Sequence, residues 1–363
     1  MSKLRRLSLS AIGTVGRDYR DVEWPFVRDV DFAYLGWLRR GNIGDESMYS
    51  AVRTAIDPKL TVRPVPLTSF GRVLAKNTNV DLLVIGGGTL LGRPEWTARI
   101  SAAVSTLRPN RIVSFGTGVL PLQSQTGEST MNSDESRQLS LLLETFDQIT
   151  VRGPRSVESL HSIGIESQAI GDPALLHSLS APSALQRRCD TRILVNFANT
   201  IDRVRDGSAQ AVRSAVLDAC LLLKKNGYSV EFFAMERADY NLMRQFSASA
   251  DVVHPYTSNQ AKVLNLIRDS ALVISERLHG SILAASQMTP FLAIPYKEKV
   301  YDFAESIKAM DSVLSLEHAT DASALFCAAV ASIDPYSSRQ NNENVSAVAR
   351  RAKHSLDTLS GGR

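Results

Sequence analysis

Short apolar runs recur along the chain with room for a helix between most of them. They are Asp31–Trp37, Leu60–Val65, Val80–Ile85, Arg111–Phe115 and Gln148–Val151, then Arg192–Phe197, Ser229–Ala234, Val252–Val253, Ala271–Ser275 and Pro290–Ile294. Brief runs rich in Val, Ile and Leu mark strands buried on both faces, and alternation of such strands with helices gives a mainly parallel sheet covered by helices on both sides. The expected class is therefore α/β. The alternation breaks once, between Ser180 and Arg192, where the chain is polar, carries Pro182 and loses periodicity. This predicts an interdomain linker. A length of 363 residues suits about two domains. The expected division is an N-terminal α/β lobe over residues 1–180, a C-terminal α/β lobe over 192–335 and a polar helical tail over 336–363.

Charge narrows the partners. Lys and Arg number 41 against 37 Asp and Glu, and no dense basic run interleaved with aromatics occurs, which argues against nucleic acid. An anionic ligand needs only a local basic pocket. Cys189, Cys220 and Cys327 are odd in number, far apart and without a Cys-x-x-Cys pair, so neither a disulfide framework nor a zinc knuckle is expected. The opening Met1-Ser2-Lys3-Leu4-Arg5-Arg6 is basic, but the segment after it is too short and polar for a signal peptide or a membrane span. The expected location is cytoplasmic.

The chemistry-bearing residues cluster where strands end. Gly41-Asn42-Ile43-Gly44-Asp45-Glu46 joins two glycines to Asp45, read as an N-cap or as an acceptor for a ligand hydroxyl. Gly86-Gly87-Gly88-Thr89 follows a strongly apolar strand, and successive glycines let backbone N–H groups approach a ligand. Its spacing matches neither a dinucleotide fingerprint nor a Walker A loop. Phe115-Gly116-Thr117-Gly118 is read as a similar loop at the next strand end. Arg152 closes a strand just before Gly153-Pro154-Arg155-Ser156 opens a helix. In Glu276-Arg277-Leu278-His279-Gly280 a cation and an imidazole stand together at a strand-to-helix turn, which suits anion recognition combined with proton transfer. Two arginines at strand ends could grip carboxylate and phosphate bidentately. Lys297 or Lys299 could also meet a phosphate. The other histidines, His161, His177, His254, His318 and His354, are read as structural or exposed.

These blocks, with Gly171-Asp172-Pro173-Ala174-Leu175-Leu176, resemble in content and order the polysaccharide pyruvyltransferases, from about residue 34 to residue 303. Those enzymes transfer the enolpyruvyl carbons of phosphoenolpyruvate onto sugars. The resemblance implies two Rossmann-like lobes with an interlobe cleft, glycosyltransferase-B-like, the acceptor on the first lobe and phosphoenolpyruvate on the second. It implies catalytic roles for His279 and Arg277, and substrate binding by Arg152, Asn42, Asp45, Gly87, Gly88, Thr89, Leu278, Gly280 and Lys297. It implies a pyruvate ketal as product, with no metal and no cofactor beyond phosphoenolpyruvate as donor substrate. The acceptor would be a sugar, an oligosaccharide or a lipid-linked glycan, the last bringing the protein peripherally to the inner face of the membrane. Two alternatives stand beside this expectation: a glycosyltransferase using a nucleotide-sugar donor, and a non-catalytic glycan-binding scaffold.

Overall fold

A computed structural model describes residues 28–361 apart from 69–74, 76, 125–129, 182–188, 199–207 and 334. The expectations for the basic N-terminus and for the middle of the Ser180–Arg192 linker fall outside the described residues. The first half runs β1 (Asp29–Leu35), α1 (Ile43–Ala55), β2 (Val62–Pro64), β3 (Asn79–Gly86), β4 (Thr89–Leu91), α2 (Pro94–Leu107), β5 (Arg111–Val119), α3 (Ser133–Leu143), β6 (Gln148–Val151), α4 (Pro154–His161) and β7 (Gln168–Ala169). Among the described residues these strands form one parallel sheet in the order β2-β1-β3-β5-β6-β7, with β4 alongside β5. A 3-10 helix, Pro173–Ser180, leads out of it.

The second half runs β8 (Cys189–Asn196), α5 (Ser208–Lys225), β9 (Ser229–Phe232), α6 (Arg237–Met243), β10 (Val252–Val253), α7 (Gln260–Arg268), β11 (Ser270–Ser275), α8 (Leu278–Ser286), β12 (Phe291–Ala293), α9 (Glu298–Ser306), α10 (Ala322–Ser332) and α11 (Pro335–Gly361). Its strands are also parallel, in the order β10-β9-β8-β11-β12. That is the order of a Rossmann half, with its switch point between β8 and β11; the first sheet reverses between β1 and β3. In open parallel sheets ligands bind beyond the strand carboxyl ends at such points. The Gly41–Glu46 turn and the triple glycine follow β1 and β3, while Glu276–His279 follows β11.

The apolar runs behave as their composition dictates. Every residue of β11 is buried, and Ile193, Val195, Val230, Phe232, Leu272 and Ile274 form a core beneath α5. Each such side chain contributes roughly 1.5–3 kcal/mol through burial. Two local expectations change. The Phe115–Gly118 segment is not a loop: β5 passes through it with a register shift after Ser114, and Gly116 takes a φ of 60°. In α1 the cap is Asn42, whose Oδ1 accepts from the Gly44 and Asp45 amides, so Asp45 lies in the first turn with its carboxylate free of capping. Helix α11, polar on average, buries one face. Val345, Val348 and Ala349 join the core beneath β11 and α8, and Ala352, Leu356 and Leu359 join that beneath β1 and β3.

Candidate active site in the interlobe cleft

The two switch points face one another across a cavity of about 340 Å³. The lobes are pinned close by. The Ile43 amide donates to the Met235 carbonyl at 3.1 Å, Asn42 Nδ2 donates to Glu236 at 2.8 Å, and Tyr256 donates to the Gly41 carbonyl at 2.9 Å. Farther along the seam, Arg155 pairs with Glu298 and Glu305, and Ser156 donates to Asp302 at 2.7 Å.

Behind the residues that line this cavity, next to Thr89, lies Arg152, a guanidinium only 1% exposed. Its Nε donates to Asp172 at 2.9 Å, and Asp172 also caps the 3-10 helix through the Ala174 amide. The Gly171–Leu176 block thus holds this arginine in place. Its Nη1 and Nη2 are buried without a hydrogen-bond partner, as are Thr89 Oγ1 and His279 Nε2. A Cβ built on Gly118 would lie 2.7 Å from Arg152 Nη1 and 3.0 Å from Thr89 Oγ1, so Gly118 leaves the room these groups share. Buried donors cost roughly 1–3 kcal/mol each when unpaired, and such groups in one place mark a site whose partners come from a ligand.

His279 sits in the first turn of α8 against the backbone of α1. A Cβ on Gly44 would come within 2.0 Å of His279 Cγ, so only glycine allows the ring to lie there. Burial pushes the imidazole well below its usual value, and the charges of Arg152, Lys299 and Arg277 push the same way. Both effects favour the neutral ring. Asp45, its neighbour across the cleft, moves in the opposite direction. Burial raises its carboxyl to about 7 against the pull of Lys299, with Asp172 adding to the rise. Burial thus moves the two groups in opposite directions, raising the Asp45 carboxyl to about 7 and lowering the His279 imidazole.

The remaining expected residues divide. Asn42, Gly88, Thr89 and Leu278 line the cavity. Gly87 and Gly88 adopt left-handed φ values of 85° and 65°, the conformation for which glycine is needed. Gly280 instead packs α8 onto its own strand, since a Cβ there would stand 2.1 Å from Ser275 Oγ. Lys297 occupies the N-cap position of α9, and Lys299 is the lysine that reaches the cavity, its Nζ 5.1 Å from the Tyr296 ring. Arg277 lines the cavity, but its Nε and Nη2 are bound by Asp239 at 2.7–3.3 Å and its Nη2 also by Glu236 at 3.0 Å. Burial opposes its charge, and the two carboxylates outweigh that and raise its pKa. It therefore braces α8 more than it offers an open fork. Sequence reasoning missed Trp37, Arg93, Trp96 and Arg99, which line the outer part of the cavity. Arg93 and Arg99 lie at the start of α2, outside every quoted block, and only the Trp37 position beside β1 hinted at them.

A sequence model of the polysaccharide pyruvyl transferase family matches residues 20–298. The chain belongs to that family. A search of curated proteins finds no significant match. Among solved structures, the fold is similar to the UDP-GlcNAc 2-epimerase of Neisseria meningitidis bound to UDP-GlcNAc (TM-score 0.57, 12% identity, 92% of this chain and 100% of that one). It is also similar to Staphylococcus aureus MnaA bound to UDP (TM-score 0.54, 10% identity, 88% and 91%). The family member described here thus has the glycosyltransferase-B-like architecture, two parallel α/β lobes with the cleft between them. Among the described residues no helix is long and apolar enough to cross a membrane.

Proposed function

We propose that the protein transfers the pyruvyl group of phosphoenolpyruvate onto two hydroxyls of a glycan sugar, forming a cyclic ketal and releasing phosphate. The observation that carries this reading is the buried Arg152 fork, open at both Nη atoms beside the unpartnered Thr89 hydroxyl and His279 Nε2. The Arg152 and Thr89 donors, with Lys299, suit a ligand bearing several anionic oxygens. The phosphate and carboxylate of phosphoenolpyruvate supply them.

The reaction needs no redox partner. A proton added to the methylene carbon makes C2 electrophilic, one hydroxyl adds there, the C2–O bond to phosphate breaks, and the second hydroxyl closes the ring. Of the two hydroxyl protons, one replaces that given to the methyl group and the other leaves with phosphate. Asp45, which holds its proton up to about pH 7, is the group suited to protonate carbon. His279, which burial drives towards its neutral form and which lines the same cavity, is suited to take the hydroxyl proton. Arg277, the residue before the first turn of α8, helps hold His279 in place through its anchorage to Asp239. No group of three His, Cys, Asp or Glu side chains placed to hold a metal occurs among the described residues, and the proposal uses no metal.

The competing reading, glycosyl transfer from a nucleotide sugar, draws on UDP in the neighbouring structures. A phosphate-release assay separates them. Incubation with phosphoenolpyruvate should liberate phosphate only when a glycan acceptor is present, and EDTA should leave the rate unchanged. Release of UDP from a nucleotide sugar, with phosphoenolpyruvate inert across the acceptor panel, would favour glycosyl transfer instead.

A further inference from the structure

We infer that the second lobe carries a carbohydrate site of its own, away from the cleft. A cavity of about 370 Å³ opens there between α10, α11, the 3-10 turn Met310–Ser312 and the start of β12. It is comparable in size with the cleft cavity and falls within the range of about 300–1,000 Å³ usual for small-molecule sites. Helix α8 runs between the two, with His279 in its first turn at the cleft and Ala285 in its last turn at this cavity. Pro290 and Phe291 place the cavity at the amino end of β12, whereas the cleft opens at strand carboxyl ends.

Two features of the lining sacrifice stability that other residues would keep. Gln340-Asn341-Asn342 lies inside α11, where asparagine is a poor helix former because its amide competes with the backbone. Asn341 donates to Ser312 Oγ at 3.3 Å, but the Gln340 and Asn342 side chains have no hydrogen-bond partner among the described residues. Lys308 follows α9 in the left-handed conformation, φ 53°, its amide bonded to the Glu305 carbonyl and that of Ala309 to the Ala304 carbonyl. Glycine is the usual residue in such a helix-ending turn, because a Cβ is strained there. A lysine is kept instead, and it lines the cavity. Residues held against local preference mark function.

The lining also selects the ligand. Its charged residues, Lys308 and Asp311, cancel, so it does not favour anions as the cleft does. Amide side chains both donate and accept, as each sugar hydroxyl does. Ala328 and Ala331 leave room, and Phe291 adds apolar surface for the C–H groups of a ring. A neutral saccharide meets all of these demands. On the pyruvyl-transfer reading it would be part of the glycan, given a second point of attachment; the site itself does not rest on that reading.

The test reads this cavity and not the cleft. The full-length protein, labelled with ¹⁵N-asparagine, would be titrated with the methyl glycosides of glucose, galactose, mannose and N-acetylglucosamine, and separately with free alanine. The side-chain amide resonances of Asn341 and Asn342, assigned through their Ala variants, should shift saturably with at least one glycoside and not with alanine. Asn342→Ala and Lys308→Gly should each weaken that glycoside about fivefold or more, followed at Asn341. Both variants should melt at the wild-type temperature or above it, since each relieves a local strain. Phosphoenolpyruvate affinity, measured by calorimetry, should change by no more than about twofold in either. Amide resonances that answer to no glycoside, that answer to alanine alone, or that keep wild-type affinity in both folded variants overturn the site even if phosphoenolpyruvate binds. A protein that binds the glycoside here but no phosphoenolpyruvate keeps the site and overturns the pyruvyl-transfer reading.

Discussion

At Asp45 two measurable effects have opposite signs. The carboxyl ionises near 3.8 when unfolded and at about 7 when folded, so the folded state keeps a proton that the unfolded chain has lost in between. The stability this confers is complete below pH ~4 and is lost as pH rises through ~7. Asp45→Asn should therefore melt at a higher temperature than wild type above pH ~7, by up to about 4 kcal/mol, with the gap closing towards acid. The same variant should lose about 100-fold in turnover, and the fall of kcat/KM with rising pH through about 7 should vanish with it. An alkaline limb that survives the substitution would remove Asp45 from the chemistry. Gly44→Ala offers a second check, because its methyl would occupy the His279 ring. A loss of about 1–3 kcal/mol and of most activity is expected, and unaltered kinetics would show that the ring position does not matter. Much at this scale was legible: Arg277-Leu278-His279 announces itself as a cation and an imidazole at a strand end. The proton affinity of Asp45 was not, because it is set by burial between lobes and by Lys299 from the other half of the chain.

Among the elements, α8 shows how a site is held rather than what it binds. Its cap residue Arg277 is tied to Asp239 at the start of α6, and Asp239 is fully buried. Arg277→Gln should cost about 3 kcal/mol by removing a charged partner from that buried carboxylate. The double replacement Arg277→Gln with Asp239→Asn should recover much of the loss in thermal melts. If the double variant is no more stable than the single one, the arginine is held for the ligand and not for Asp239. Strand and helix positions were readable because parallel buried strands give continuous apolar runs. The β5 irregularity was not, since Phe115-Gly116-Thr117-Gly118 reads equally as a loop until β4 and β6 are seen to pair on either side. The cap of α1 shifted for a similar reason: Asn42 and Asp45 are both good caps by type, and only the start of the helix at Ile43 chooses between them.

Across the whole molecule, α11 ties together what the strand pattern divides. Its sequence is polar enough to read as a tail, yet residues spaced along one face enter the cores of both halves, and Gly171 beside the Arg152 anchor is glycine because a Cβ would stand 2.2 Å from Val348. Leu356→Asp should cost about 3 kcal/mol or more and lower the melting temperature of the whole chain, where a dispensable tail would leave it unchanged. The two switch points, the seam from Asn42 to Glu236 and the buried arginine then make one cleft from both lobes. The assignment of that cleft is tested most directly by calorimetric titration of phosphoenolpyruvate into the wild-type protein and into Arg152→Gln. Saturable one-to-one binding is expected for the wild type, weakened at least about 30-fold in a folded variant, as the loss of a buried charged contact requires. No binding to the wild type, or equal affinity in both proteins, would contradict it.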